Sequence, residues 1–198
     1  MANDPPGNPG DPTRAGEAAA DAALIARVAG GDRDAFEALY RRYAAPIMSF
    51  LHHLSFDRGL AEDATQDVFL KVWRSASGFR PEAGRFSTWL FQIARNHAYG
   101  ELPRWRRSKA TGEGPATEAR PAADSAPDRD LRRAETARAI EDALDGLSDK
   151  LRVAFVLVRL EGRSYADAAE ILEVPEGTVK SRMAAAEAAL RARLGKLL

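Results

Sequence analysis

The sequence contains no cysteine and only three histidines. Without thiols there is neither a disulfide framework nor thiolate chemistry, a composition that fits a reducing cytosol and an expected cytoplasmic location. His52, His53 and His97 are too few and too scattered for a metal site, so no metal, cofactor or catalytic residue is expected. No uncharged stretch approaches the roughly 18 residues that a membrane span needs. The N-terminus also lacks the charged start and apolar run of a signal peptide. No nucleophile–base set or phosphate-binding glycine loop is visible, which makes an enzyme the poorest reading. Net charge is absent as well, since 29 basic and 29 acidic residues cancel.

That neutrality hides a partition. Residues 1–23 carry a net −3, residues 24–107 a net +4, residues 108–130 a net −2 and residues 131–198 a net +1. The 198 residues suffice for one or two small domains, and the 45% hydrophobic content is enough for real cores. Residues 1–16, with Pro5, Pro6, Pro9 and Pro12 among glycines and acids, are too poor in large apolar groups to fold alone. A disordered tail is therefore expected over residues 1–23. From Leu24 the pattern turns helical, with Phe36, Leu39, Tyr40, Tyr43, Ile47, Phe50, Leu51 and Leu54 at helical spacing. Further helices are predicted from about Leu60 to Ala76 and from about Thr88 to Leu102. Residues 108–130, rich in glycine and proline, read as a flexible tether. Helical pattern resumes near Leu131, with a second start at Ser148 and a stop at Gly162. No strand-length alternation or internal repeat is present. The expected fold is all-α: two small helical lobes, residues 24–107 and 131–198, joined by a flexible linker, the C-terminal lobe containing a helix-turn-helix.

The segment from Ser164 to Arg182 carries that last motif. Ser164 and Asp167 stand in capping-box spacing at the start of one helix, and Ala168, Ala169 and Leu172 supply its inner face. Pro175 suits the first turn of the next helix, where a missing N–H costs nothing. Val179, Met183, Ala186, Leu190 and Leu194 then recur at helical spacing and must face inward. A helical hairpin in a structural bundle shares these features, but a helix-turn-helix serves mainly to present its second helix to the major groove of DNA. The outward residues there are Gly177, Thr178, Ser181, Ala184, Ala185 and Ala188, flanked by Lys180 and Arg182. Lys and Arg hold phosphates, while hydroxyls and methyls offer weak base-edge contacts. This helix alone is expected to bind DNA without strong sequence specificity.

Two earlier helices are also unusual. On the one from Leu60 to Ala76, the core face is Ala61, Thr65, Val68, Phe69, Val72 and Ala76. Opposite lie Asp63, Gln66, Asp67, Leu70 and Arg74. A leucine ringed by charges suits a protein-docking face, although single exposed leucines are common. Residues 85–107 then carry Arg85, Arg95, Arg104, Arg106 and Arg107 against Glu101 alone, interleaved with Phe86, Trp89, Phe91, Tyr99 and Trp105. Positive charge with exposed rings suits single-stranded nucleic acid. Leu90, Ile93, Ala94 and His97 fall on the inner face of a helix starting near Thr88. Gln92, Arg95, Asn96 and Tyr99 fall on the outer face, with Trp89 and Phe91 at the borders. The loop from Arg80 to Arg85, with Pro81 and Gly84, is placed to form a pocket beside it. Trp89 and Phe91 can equally seal the core, and His97 reads as a packed histidine.

In order and spacing, three stretches resemble the extracytoplasmic-function (ECF) sigma factors of bacterial RNA polymerase. They are Ala61-Glu-Asp-Ala-Thr-Gln-Asp-Val-Phe-Leu-Lys-Val-Trp73, Phe86-Ser-Thr-Trp-Leu-Phe-Gln-Ile-Ala-Arg-Asn96, and Ser164 through Arg182. The resemblance covers roughly residues 24–107 and 131–194. It implies a region-two lobe that binds the β′ clamp of core polymerase through Asp63, Gln66, Asp67, Leu70 and Arg74. The same lobe would open and read the minus-ten element through Arg80, Arg85, Trp89, Gln92, Arg95, Asn96 and Tyr99. It further implies a region-four lobe that meets the minus-thirty-five element through Thr178, Lys180, Ser181, Arg182, Ala184 and Ala185. The implied partners are core polymerase (β′ clamp and β flap), promoter DNA and an anti-sigma factor. The chain departs from the family at Ala184, Ala185 and Glu187, where aromatic or basic residues are usual, which implies a weak minus-thirty-five contact. It also departs at Gly100 and at Pro103, which is expected to end or kink the helix near Leu102 and re-aim Trp105, Arg106 and Arg107. No further domain follows the second lobe, so control is expected from another protein or from expression.

Two other function classes compete. One is a sigma mimic that sequesters an anti-sigma factor without touching DNA, and the bland recognition helix favours it. The other is a stand-alone helix-turn-helix regulator, which leaves the stretch from Leu60 to Asn96 unexplained.

Overall fold

The computed structural model describes residues 12–111 and 127–195. Every regular element among them is helical. The first lobe holds α1 (Pro12–Ala29), α2 (Arg33–Ser55), α3 (Arg58–Ser75) and α4 (Phe86–Thr111). Two single tight turns, Ala76–Gly78 and Pro81–Ala83, form the connection from α3 to α4. The second lobe holds α5 (Pro127–Asp145), α6 (Asp149–Phe155), α7 (Tyr165–Leu172) and α8 (Glu176–Leu194). A π-helical turn over Val156–Leu160 extends α6.

Local chemistry sets the boundaries. Asp32 and Asp57 cap α2 and α3, accepting from the N–H groups of Ala35 at 3.0 Å and Leu60 at 2.9 Å. Ser164 does the same for α7, accepting from the Asp167 N–H at 3.0 Å. The apolar stripes read from the sequence become the core. Leu39, Ile47, Phe50 and Leu51 of α2 are buried against Val68, Phe69 and Val72 of α3 and against Leu90 and Phe91 of α4.

The chain folds earlier than its composition led us to expect. The tail expected over residues 1–23 is helical from Pro12, while residues 1–11 lie outside the described residues. The anchor is Asp21, 2% exposed, whose carboxylate accepts from Arg42 and from the Tyr43 hydroxyl on α2. Ile25 and Val28 enter the core one and two turns later. A short apolar stripe with one buried polar anchor suffices where composition alone argued for disorder.

Pro103 does not end α4 near Leu102, since the helix runs on to Thr111. A proline inside a helix costs about 3 kcal/mol. Leu102 and Trp105 flank it and are both buried, and each contributes roughly 1.5–3 kcal/mol. Their burial offsets the proline and holds Trp105 in the core. The tether expected over 108–130 is correspondingly shorter, with helix up to 111 and again from 127. Residues 112–126 lie outside the described residues.

The two lobes do not hang apart. One continuous core joins Phe50, Phe91 and Leu102 of the first to Val153, Leu157, Ala168 and Ile171 of the second. Arg152 on α6, 1% exposed, donates to the Leu54 carbonyl and to Asp145 at 2.7 Å. Its guanidinium lies 4.7 Å from the centre of the Phe56 ring. Burial pulls the Arg152 pKa below the ordinary guanidinium range, with Asp145 opposing. Phe56 ends α2 in the left-handed conformation, φ +55°, and packs with Leu144, Leu147 and Leu190 of the second lobe.

Candidate nucleic-acid interface

The loop before α4 makes a pocket. Phe79, Arg80, Gly84, Arg85, Trp89 and Gln92 contribute to the lining of a cavity of about 150 Å³, a size that admits one aromatic ring. Gly84 adopts φ +153°, which a side chain would strain. Phe79 stacks obliquely on Trp89 at 5.5 Å and meets Phe86 edge-on at 6.0 Å, fixing the apolar wall. Trp89 is half-buried at this rim, whereas Phe91 is fully buried against Phe50, 5.6 Å away. The two border rings therefore divide: Trp89 lines the pocket and Phe91 seals the core. Arg80 is exposed at the mouth.

The face of α4 expected to be open is largely covered. Arg95, assigned to the outer face from its spacing, is 5% exposed. The second lobe covers it, because α7 lies along α4. Arg95 donates to the Ile171 carbonyl at the end of α7 and pairs with Glu173 at 2.6 Å. It also donates to Asn96 Oδ1 at 2.7 and 3.0 Å. Arg85 pairs with Asp167 and stands 3.7 Å from Glu170. Burial opposes the Arg85 charge, but the hydrogen bond and charge of Asp167, with Glu170 behind them, raise its pKa. Thr88 donates to Glu170 at 3.1 Å, and the Gln92 amide donates to the Glu170 carbonyl at 3.0 Å.

Asn96 remains exposed. Tyr99 is half-buried, and burial raises its phenol pKa, with Arg182 and Arg95 opposing. His97, expected inward, is half-buried with Nδ1 3.1 Å from Lys71 Nζ. Burial first, then the Lys71 charge, lowers its pKa, so it is neutral near pH 7 and accepts from the ammonium. The α7 acids Asp167, Glu170 and Glu173 escaped the sequence reading. Their signal was visible as three carboxylates at three-residue spacing with no base between them.

On α8, Lys180, Ser181, Ala184 and Ala185 are exposed, and Thr178 and Arg182 are half-buried. Val179, Met183, Ala186 and Leu190 are buried beneath them. Lys180 pairs with Glu176 at 2.7 Å and lies 5.8 Å from the Tyr165 ring centre. On α3, Asp63, Gln66, Asp67, Leu70 and Arg74 are all exposed, and Leu70 keeps 50% of its surface in solvent. Among the described residues no group of His, Asp or Glu side chains is placed to hold a metal. No described helix is long and apolar enough to cross a membrane.

The family profile of Sigma-70 region 2 matches residues 39–109, and that of Sigma-70, region 4 matches residues 137–190. Over 178 residues the chain is 40% identical to the ECF RNA polymerase sigma factor SigM of Mycobacterium tuberculosis (strain H37Rv), covering 90% of this chain and 84% of that one. The chain belongs to the ECF sigma factors of bacterial RNA polymerase. It is thus a non-enzymatic factor that directs transcription initiation, and its helix-turn-helix is that of region four. The sigma factor is also 35% identical to the ECF sigma-E factor of Haemophilus influenzae over 176 residues, 82% of this chain and 89% of that one. Among solved structures it resembles CnrH in complex with the cytosolic domain of CnrY, with a TM-score of 0.68 and 27% identity. That match covers 89% of this chain and 98% of CnrH. It also resembles RpoE of Bartonella quintana in complex with the anti-sigma factor NepR, with a TM-score of 0.60 and 28% identity. There the match covers 81% of this chain and 96% of RpoE.

Proposed function

We propose that this sigma factor divides its work among three surfaces. The exposed face of α3, Asp63 through Arg74 with Leu70 at its centre, docks on the β′ clamp of core polymerase. An apolar anchor inside a polar rim is the arrangement that carries binding energy at protein interfaces. The pocket before α4, with Arg80, Arg85, Trp89, Gln92, Arg95, Asn96 and Tyr99 around it, takes bases of the opened minus-ten element. Extruding a base costs a few kcal/mol of unstacking. Stacking on a ring returns about 1–3 kcal/mol, and the arginines hold the backbone. The α8 face, with Thr178, Lys180, Ser181, Arg182, Ala184 and Ala185, meets the minus-thirty-five element mainly through phosphates.

The observation that carries this reading is the ring-sized cavity walled by Trp89 and Phe79, with Arg80 at its mouth. Residues 24–107 would then act as region two and residues 131–198 as region four. The intervening 108–130 would pass through polymerase toward the RNA exit path, leaving region four at the β flap. The factor works in the cytoplasm, and an anti-sigma factor is its natural antagonist, as for the solved relative bound to NepR. Run-off transcription with purified core polymerase tests the whole reading. A transcript that depends on this chain supports it. Sequestration of an anti-sigma factor without any transcript would favour the mimic instead.

A further inference from the structure

Two non-glycine residues among those described adopt positive φ, Phe56 and Glu173, both at +55°. Left-handed backbone at such residues is unfavourable and persists where the surroundings demand it. Both point across the seam between the lobes. Phe56 packs on Leu144, Leu147 and Leu190 and beneath Arg152, and Glu173 pairs with Arg95. Local strain is therefore concentrated on the contact that closes the two lobes.

The chemistry of that contact is specific. Along α4 the presented groups are Arg85, Thr88, Gln92 and Arg95, and along α7 their partners are Asp167, Glu170, the Ile171 carbonyl and Glu173. Arginines and amides facing anionic and carbonyl oxygens reproduce the way such side chains meet a phosphate–sugar backbone and base edges. No base stands among the three acids, so the ridge is uniformly negative. Farther along the seam, Arg106 pairs with Asp149 at 2.6 Å, and Glu161 accepts from Ser49 at 2.9 Å.

We propose that the acidic ridge of α7, Asp167–Glu170–Glu173, is a built-in competitor for single-stranded promoter DNA. It occupies the minus-ten face of α4 and holds the free factor closed. This inference rests on the assignment of that face to the minus-ten strand. Binding of the strand and closure of the ridge exclude each other, because both need Arg85, Gln92 and Arg95. The apparent affinity of the free chain for a single strand is then lowered by the fraction of molecules that stand open. The helix-turn-helix, besides contacting DNA, guards the other DNA-binding surface of the same chain.

Glu173→Gly separates a latch from a structural role. Glycine accepts the left-handed backbone, so the turn keeps its conformation while the carboxylate is removed. A triple variant, Asp167→Asn with Glu170→Gln and Glu173→Gln, removes the whole ridge. A control triple, Asp34→Asn with Glu37→Gln and Glu62→Gln, changes net charge equally from exposed positions on α2 and α3. Binding of each full chain to a short fluorescent single strand of mixed sequence is read by anisotropy. The chain has no native cysteine, so dyes placed through Ala38→Cys and Ala188→Cys, both exposed, report the separation of the lobes. The expected result is strand binding about tenfold tighter than the control for both ridge variants, with a longer inter-lobe distance. Affinity equal to the control overturns the proposal, and so does opening without a gain in binding. The role of α4 itself is read separately, in holoenzyme on a premelted template. If Asn96→Ala binds that template and selects its bases normally, the minus-ten assignment falls and takes the latch with it.

Discussion

The Arg95 guanidinium on α4 is held 2.6 Å from the Glu173 carboxylate beyond the end of α7, with Arg95 buried and Glu173 reaching it from solvent. The asymmetry decides what the pair is worth. Glu173 keeps 65% of its side-chain surface in water, so little desolvation is spent on it and little Coulomb energy is gained. Arg95 keeps the Ile171 carbonyl and Asn96 as partners when Glu173 is removed.

A double-mutant cycle with Arg95→Gln and Glu173→Gln should therefore give a modest coupling, about 0.5–1 kcal/mol at low salt, and less at high salt. Chemical denaturation of the four proteins measures it. A coupling of several kcal/mol would mean that Glu173 is desolvated in solution and that the seam is tighter than described.

Leu70 gives a second prediction. It stands on the solvent face of α3, opposite the buried Val68, Phe69 and Val72. Leu70→Ala with Asp67→Ala should weaken competition for core polymerase while leaving melting temperature and helicity nearly unchanged. Substitutions at such exposed sites usually stay within about 0.5 kcal/mol of neutral. Unaltered competition for core would remove this face from the polymerase contact. A fallen melting temperature would place Leu70 in the core.

Much of this architecture was legible in the sequence, and the failures share a cause. Helical periodicity located the buried faces of α2, α3 and α8, because those faces pack within their own lobe. It misplaced Arg95 because periodicity describes one helix and is silent about a second lobe lying on its polar side. The same blindness hid the α7 acids, whose partners are about 80 residues away in the chain. Their separations are 82 residues for Arg85–Asp167 and 78 for Arg95–Glu173. Pro103 misled for another reason: a local rule yielded to the burial of Leu102 and Trp105 on either side. Composition hid α1, because one buried carboxylate, Asp21, does not register in an average.

The α8 face yields a third expectation. Lys180 is exposed and held by Glu176 alone among the α8 side chains, an i,i+4 pair that DNA phosphates can readily replace. Lys180→Ala should weaken binding to a minus-thirty-five duplex and make the salt slope shallower by about one unit, with sequence preference unchanged. Salt titration of duplex binding measures this. A shifted sequence preference at constant slope would make Lys180 a base reader.

Acid sensitivity follows from two histidines. His52 is pulled below its ordinary pKa of 6.5 by burial first and then by His53, and His97 by burial and then Lys71. In both, the unfolded chain takes up a proton more readily than the folded one. Their contribution is complete above the ordinary value of 6.5 and is lost as pH falls through the lowered folded value. Stability should decline on acidification below about pH 6.5. His97→Gln should flatten that decline, as followed by thermal melts across the pH series. An unchanged acid slope in the variant would show that His97 titrates normally.

Strand opening supplies the last prediction, centred on Asn96. Its side chain is exposed beside the closed seam, and its carbonyl oxygen steadies Arg95 through two hydrogen bonds of 2.7 and 3.0 Å. Replacing it by alanine leaves Arg95 bonded to Ile171 and Glu173, so the fold and the α3 face should survive. The loss would fall on the opened strand. Asn can pair with the Watson–Crick edge of an extruded base, an edge that is hidden in duplex DNA. Asn96→Ala should therefore reduce open-complex formation on a duplex promoter far more than it reduces binding to core polymerase. A premelted bubble should restore most of the opening signal, because the unstacking cost is already met, yet base selectivity within the minus-ten element should stay impaired. Permanganate footprints on the two templates separate these outcomes. Normal opening of the duplex by the variant would reduce Asn96 to a support for Arg95 and leave base reading to Gln92 and Trp89 at the pocket.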